Sequence, residues 1–205
     1  MIKVLEHPLV NKDISILRSK DTNPEEFRNA INRIAYHLAI EAYYDLPTVN
    51  IEVTTPLEVT KGVTLPNKVL LIPILRAGLT LLNAFEKILP DVQIGYCALK
   101  RDENSFKIEE YYYSLPKVAN DTLVIILDVM LATGNSLITL LTKLQLEAIN
   151  NIKVISIIAA PEGLEQIAVH FPNIEIITAT IDRELNQQKY ILPGLGDAGD
   201  RANNT

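Results

Sequence analysis

One cysteine and three histidines are all that this 205-residue chain offers for soft metal ligation. Cys97 stands alone, so neither an intramolecular disulfide nor a site built from several thiolates is possible. It lies in the apolar run Ile94-Gly-Tyr-Cys-Ala-Leu99, with no basic neighbour before Lys100, and reads as a small buried hydrophobe rather than a reactive thiol. His7, His37 and His170 are scattered without ligand spacing, so no metal held directly by the protein is expected. Positive charge is also short. Lys and Arg number 19 against 25 Asp and Glu, a formal net charge of −6. An acidic chain gains little from phosphate backbones, so general nucleic-acid binding is not expected. No apolar run reaches bilayer-spanning length and no charged-then-apolar leader opens the sequence, so a cytoplasmic location without membrane partners is expected. Internal repeats and low-complexity tracts are missing too. What is present, 48% hydrophobic and 21% charged residues, suits one globular domain with a substantial core, residues 1–205.

Along the chain, residues 1–47 read as helical. Phe27, Ile31, Ile34 and Leu38 step by four and three, which makes one apolar stripe, and Asp21-Thr-Asn-Pro24 followed by Glu25-Glu26 supplies a helix start. His37 lies beside the stripe. Residues 50–64 alternate apolar and polar, which predicts a short hairpin open to water on one side. Mostly apolar runs of strand length follow at 68–73, 92–99, 123–127, 152–158 and 174–178. Helical stretches separate most of them, at about 78–89, 136–149 and 162–170. Near-continuous apolar strands alternating with helices indicate an α/β fold with a mostly parallel central sheet covered on both faces. The tyrosine-rich excursion at 101–117 interrupts that rhythm, either as a flexible lid or as a solvated hairpin. Residues 182–205 are loop-rich.

The chemistry concentrates in three places. The first is Asp128-Val-Met-Leu-Ala-Thr-Gly-Asn-Ser136, an apolar strand ending on a carboxylate, then a short loop, then a helix. Amides at a helix N-terminus, the hydroxyls of Thr133 and Ser136, and a glycine that permits close approach make a phosphate cradle. A plain strand-to-helix turn with a hydroxyl cap fits the loop equally well. The second is Pro73-Ile-Leu-Arg-Ala-Gly78, where an arginine leaves a buried strand and can hold a diphosphate through paired hydrogen bonds, or simply cap the strand at the surface. The third is Tyr190-Ile-Leu-Pro-Gly-Leu-Gly-Asp-Ala-Gly-Asp200, a backbone that turns tightly, around a flat ligand or around nothing.

Those three segments, with His7-Pro-Leu-Val10 and Ala159-Ala-Pro-Glu-Gly163, occur in the order found in the type I phosphoribosyltransferases, and the chain resembles the uracil-using members of that family over nearly its whole length. The resemblance implies the family fold, with a small hood formed by the N- and C-terminal segments, a lid at about 101–117 and a base-binding segment at about 182–205. It implies transfer of a phosphoribosyl group from 5-phosphoribosyl 1-diphosphate to uracil, with Mg2+ carried on the substrate. Arg76, Arg101 and Asp128 would be catalytic. Val129, Met130, Leu131, Ala132, Thr133, Gly134, Asn135, Ser136 and Asp197 would complete the phosphoribosyl-diphosphate site. Ile191, Gly196, Asp197 and Ala198 would bind uracil. The family also implies a homodimer or larger assembly and, in some members, a GTP effector. Purine-using relatives carry an acid at the position of Ala132, so no base from that position acts here. Two departures stand out: Val129 where proline is usual, and Asn135 where glycine is usual, which would matter if that position required a positive φ. A non-catalytic RNA-binding regulator shares the fold; without a Lys/Arg cluster it is the weaker reading.

Overall fold

A computed structural model describes residues 1–66, 68–101, 108–119 and 121–205, with the side chains of Lys100, Arg101, Ile108 and Glu109 outside that description. The chain first forms β1 (Ile2–Val4), α1 (Pro8–Arg18) and α2 (Pro24–Ala42), then β2 (Val49–Thr54) and β3 (Val59–Thr64). Next come β4 (Val69–Leu75), α3 (Leu79–Ile88), β5 (Gln93–Ile94), β6 (Tyr96–Arg101) and β7 (Ile108–Ser114). Then follow β8 (Leu123–Leu127), β9 (Met130–Leu131), α4 (Asn135–Leu146), β10 (Ile152–Ala159), α5 (Pro161–His170) and β11 (Glu175–Ile181). A short pair, β12 (Glu184–Leu185) and β13 (Ile191–Leu192), precedes the last helix, α6 (Ala198–Asn203).

The main sheet runs β1-β11-β10-β8-β4-β6-β7, with β5 beside β4 and β9 beside β10. Its described pairings are parallel except that of β6 with β7. Strand parity explains the continuous apolar runs, because successive side chains point to opposite faces. Leu71, Ile125, Ile155 and Ile177 pack under α1, α2 and α3. Leu70, Val124, Val154 and Ile176 pack under α4 and α5.

Helix α2 starts as its sequence predicts: Asn23 accepts a hydrogen bond from the Glu26 amide at 2.9 Å and Pro24 begins the first turn. Phe27, Ile31, Ile34 and Leu38 are fully buried. Two expectations need correction. Residues 1–47 are not all helical, because Ile2–Val4 form an edge strand pairing with Ile176–Thr178 from the far end of the chain. Three residues carry no periodicity, so only their partner reveals them. The hairpin of β2 and β3 is not half-buried: almost every residue is exposed, including Val49, Val59 and Val63, so both faces of the ribbon are open. Of the expected lid, β7 pairs with β6 as a hairpin, while residues 102–107 at its tip lie outside the described residues.

The hood is held down by arginines. Arg18 on α1 donates to both carboxylate oxygens of Asp182, at 2.8 and 2.5 Å, and to the Gly194 carbonyl at 3.0 Å. Asp182 is buried and also accepts the Gly194 amide at 2.8 Å. Arg201 on α6 lies over the Phe27 ring and donates to the carbonyls of Leu17, Ser19 and Leu195. Arg28 donates to the Ala202 carbonyl at 2.7 Å. The bonds from Arg18, from Arg28 and from Arg201 to Leu17 and Ser19 join sequence positions more than 160 residues apart and fix the C-terminal segment over the sheet.

Removing one member of a buried charge pair strands the other. Asp182→Ala is therefore expected to lower stability by about 2–4 kcal/mol, read from the midpoint of urea unfolding.

Candidate functional site

Strand β8 ends at the carboxyl edge of the sheet, where open α/β sheets place ligands, and delivers Asp128 there. Its Oδ1 accepts the Val129 amide at 2.7 Å and, more weakly, the Met130 amide at 3.4 Å. Burial pushes the Asp128 carboxyl up from its ordinary value of 3.8 to about 6, with those two amides pulling the other way. The valine thus has a consequence the sequence did not show. A proline in its place would have no N–H to give.

Beyond Asp128 the loop runs as β9 along β10, with Met130 opposite Ile158 and Leu131 opposite Ala159. Gly134 then takes φ +80° as the N-cap of α4 and has no side chain to cap it, while the Thr133 hydroxyl accepts the Asn135 amide at a long 3.5 Å. Asn135 is the first helical residue and is not among the positive-φ positions. The glycine requirement therefore falls on Gly134, and the departure at Asn135 carries no backbone strain. Asp128, Met130 and residues 131–137 line a small concavity of about 50 Å3.

Two glycines let backbone meet backbone around this loop. A Cβ on Gly163 of α5 would stand 2.3 Å from the Ala132 carbonyl oxygen. One on Gly78 would stand 2.3 Å from the Leu127 carbonyl oxygen, just before Asp128. The Ala159-Ala-Pro-Glu-Gly163 motif, weak alone as sequence, is therefore the floor under the loop.

Arg76 follows β4 across a cis peptide from Leu75. Its guanidinium donates to Asp200 Oδ1 at 2.9 Å, with both side chains half-exposed. Asp200 belongs to α6, so the arginine segment meets the C-terminal segment directly. Sequence reasoning passed over Asp200, although it ends the glycine-rich run. The backbone of Arg101 ends β6; the placement of its side chain lies outside the described residues.

In the C-terminal segment Ile191 is buried on β13, Gly196 takes φ +79°, and Asp197 caps α6 by accepting the Asp200 amide at 2.9 Å. Ala198 is fully buried at the start of that helix. Met130 and Ala132 from the loop share a cleft of about 410 Å3 with Tyr190, Ile191, Gly196 and Asp197. The structure thus brings the loop and the C-terminal segment together, with Arg76 beside Asp200. Tyr111 and Tyr112 stay exposed, and Tyr113 packs under the Lys143 ammonium while donating to Glu147 at 3.0 Å. His7 caps α1 through the Leu9 amide at 3.2 Å and stacks on His37, a structural use of both rings.

This arrangement of sheet, hood and strand-end loop is that of a type I phosphoribosyltransferase. A solved structure of an Aquifex aeolicus protein superposes with a TM-score of 0.92 at 36% identity, covering 98% of this chain and 97% of that one. A hypoxanthine-guanine phosphoribosyltransferase from Bacillus anthracis shares the fold alone, with a TM-score of 0.54 at 11% identity over 78% of this chain and 80% of its own. The sequence matches the uracil phosphoribosyltransferase family over residues 4–205. The uracil phosphoribosyltransferase of Campylobacter fetus subsp. fetus is 44% identical over 204 residues, covering 100% of this chain and 98% of its own. That of Dictyoglomus turgidum is 44% identical over 202 residues, with 98% of each chain covered. The chain belongs to the uracil phosphoribosyltransferase family.

Two substitutions test the geometry. Gly163→Ala forces residues 132–134 to shift and should cost about 1–3 kcal/mol, seen in urea unfolding together with faster amide exchange in the loop. Val129→Pro removes a hydrogen bond to the ionised form of Asp128, so its carboxyl should titrate above its present value of about 6, measured by NMR on the carboxyl carbon.

Proposed function

We propose that this chain transfers the 5-phosphoribosyl group of phosphoribosyl diphosphate to uracil, giving UMP and diphosphate, and acts as one domain across residues 1–205. The observation that supports this reading is the shared cleft between the Asp128–Ser136 loop and residues 190–197, where a small concavity along the loop adjoins a recess with ample room for a base. Family membership supplies the reaction class.

In this reading the bond from ribose C1 to diphosphate breaks as the bond to the base nitrogen forms, the proton of that nitrogen leaves with the diphosphate or to water, and positive charge develops on the ribose ring. Catalysis is then mostly positioning and electrostatics. Residues 129–136 hold the 5-phosphate: amides at the start of α4 and the hydroxyls of Thr133 and Ser136 face the anion. Asp128 sits at the ribose, where its carboxylate holds the hydroxyls and stabilises the cationic ring. Arg76 and Arg101 take the departing diphosphate, and Arg76 exchanges its bond to Asp200 for one to the substrate. Uracil is read by Ile191, Gly196, Asp197 and Ala198, largely through backbone groups.

Among the described residues no cluster of three or more His, Cys, Asp or Glu is arranged to hold a metal ion. The lone carboxylate of Asp128 beside a diphosphate suits a hard cation that keeps most of its waters. Magnesium brought in on the substrate would neutralise charge on the leaving group. We also propose a homodimer or larger assembly. Its support is the ribbon of β2 and β3, one face of which carries the exposed Val49, Ile51 and Val53, an apolar strip that a monomer would leave in water.

The decisive assay incubates the protein with phosphoribosyl diphosphate, Mg2+ and each nucleobase, and follows diphosphate release. Turnover with uracil supports the reading, and no turnover with uracil overturns it. Asp128→Asn should reduce kcat about 100-fold or more. The same change should add about 1–3 kcal/mol of stability at pH 7. The sign follows from the shift. The folded carboxyl titrates near 6 and the unfolded one near 3.8, so the folded state holds the proton more tightly and loses stability as pH rises between those values. The gain from asparagine should therefore vanish below about pH 4.

A further inference from the structure

The first turn of α5 touches both halves of the cleft. On one side Gly163 lies against the phosphate loop, close enough that a Cβ would meet the Ala132 carbonyl at 2.3 Å and the Gly134 amide nitrogen at 3.3 Å. On the other side Glu162 Oε1 accepts the Leu185 amide at 2.8 Å. Leu185 is the residue of β12 directly opposite Ile191 on β13. An unbroken path of short contacts therefore runs from Ala132 through Gly163 and Glu162 to Leu185 and Ile191.

Glu162 is an unusual means of making that link. Hydrogen bonds from the Leu185 amide and from its own amide hold its carboxyl below the usual glutamate range, so it is an anion at neutral pH. Its second oxygen, Oε2, is buried and has no hydrogen-bond partner among the described residues. A buried, unpaired carboxylate oxygen is costly, and a protein that needed only a spacer here would do better with an apolar side chain. Lys189, on the turn between β12 and β13, adds a smaller effect in the same direction through its charge. It also lines the cleft. The short hairpin is thus tied to Glu162 chiefly through the hydrogen bond to the Leu185 amide.

We propose that Glu162 is a positioning residue that sets the distance between the base-binding strand β13 and the phosphate loop, and so fixes where the base sits relative to the ribose. This rests on the reading of residues 191–198 as the base site. Glu162 touches neither substrate. Its effect appears in uracil recognition because the phosphate loop is anchored independently, by pairing with β10.

Steady-state kinetics of Glu162→Ala, Glu162→Gln and Glu162→Asp test the role. Glutamine keeps the length and an oxygen that can accept the Leu185 amide. Aspartate keeps the charge but is one methylene short. Glu162→Ala and Glu162→Asp are expected to raise KM for uracil about tenfold, the size of one lost charge-assisted hydrogen bond, with KM for phosphoribosyl diphosphate within about twofold of wild type. Glu162→Gln should recover most of the loss. An unchanged KM for uracil in Glu162→Asp overturns the proposal, as does an equal rise in both KM values. Should Glu162→Ala fail to fold, the comparison of Gln with Asp decides alone. Wild-type turnover of uracil is measured first. Its absence removes the base-site reading and this inference with it, whereas normal wild-type turnover with an indifferent Glu162→Asp removes only the role of Glu162.

Discussion

Two missing Cβ atoms hold the centre of this molecule together. Gly78 and Gly163 each press against a carbonyl of the segment that carries Asp128, one at Leu127 and the other at Ala132. Any other residue would push a carbon to 2.3 Å from that oxygen. Because both approaches are that close, the arginine segment after β4, the loop after β8 and the first turn of α5 cannot shift independently. The backbone of these three segments is thus placed by direct contact rather than through flexible side chains. Such placement is what a reaction dominated by positioning requires.

Around that centre the charges are few and each has a defined setting. Asp128 is raised by burial and partly restrained by the amide of Val129. Arg76 is paired with Asp200, which also accepts the Thr205 hydroxyl at 3.1 Å. The pair is half-exposed, so it holds the guanidinium in place without binding it tightly. A more buried partner would compete with an anionic ligand on worse terms.

The hood solves a different problem. Residues 182–205 have little periodic structure and bury only a few side chains of their own, so they need anchors elsewhere. Arg18, Arg28 and Arg201 provide them, mostly through carbonyl oxygens that short helices and turns leave unsatisfied. At the opposite end of the sheet Lys153 does similar work. Buried in a central strand, it donates to the Ala42 carbonyl at 3.1 Å and pairs with Asp45 at 2.5 Å, fixing the end of α2.

The strand and helix order of residues 68–181 could be read directly, because both faces of the sheet are covered and the apolar runs are long enough to declare themselves. Local chemistry was readable wherever one short segment contains it. The loop from Asp128 to Ser136, the arginine beside a glycine, and the Asn23 cap are of this kind. The family followed from the order of five such segments. Whatever depends on a partner far along the chain was not readable. Ile2–Val4 are a strand only because Ile176–Thr178 lie beside them, and Asp182 matters only because Arg18 reaches it. The same limit applied to Asn135, whose φ depends on where the helix begins, and to Glu162, whose value lies in two neighbours on different elements. The sequence by itself determined which groups could do phosphoribosyl chemistry. Only the tertiary structure decided which of them meet, because hydrogen bonds and steric contacts act over a few ångströms of space and not over any fixed number of residues.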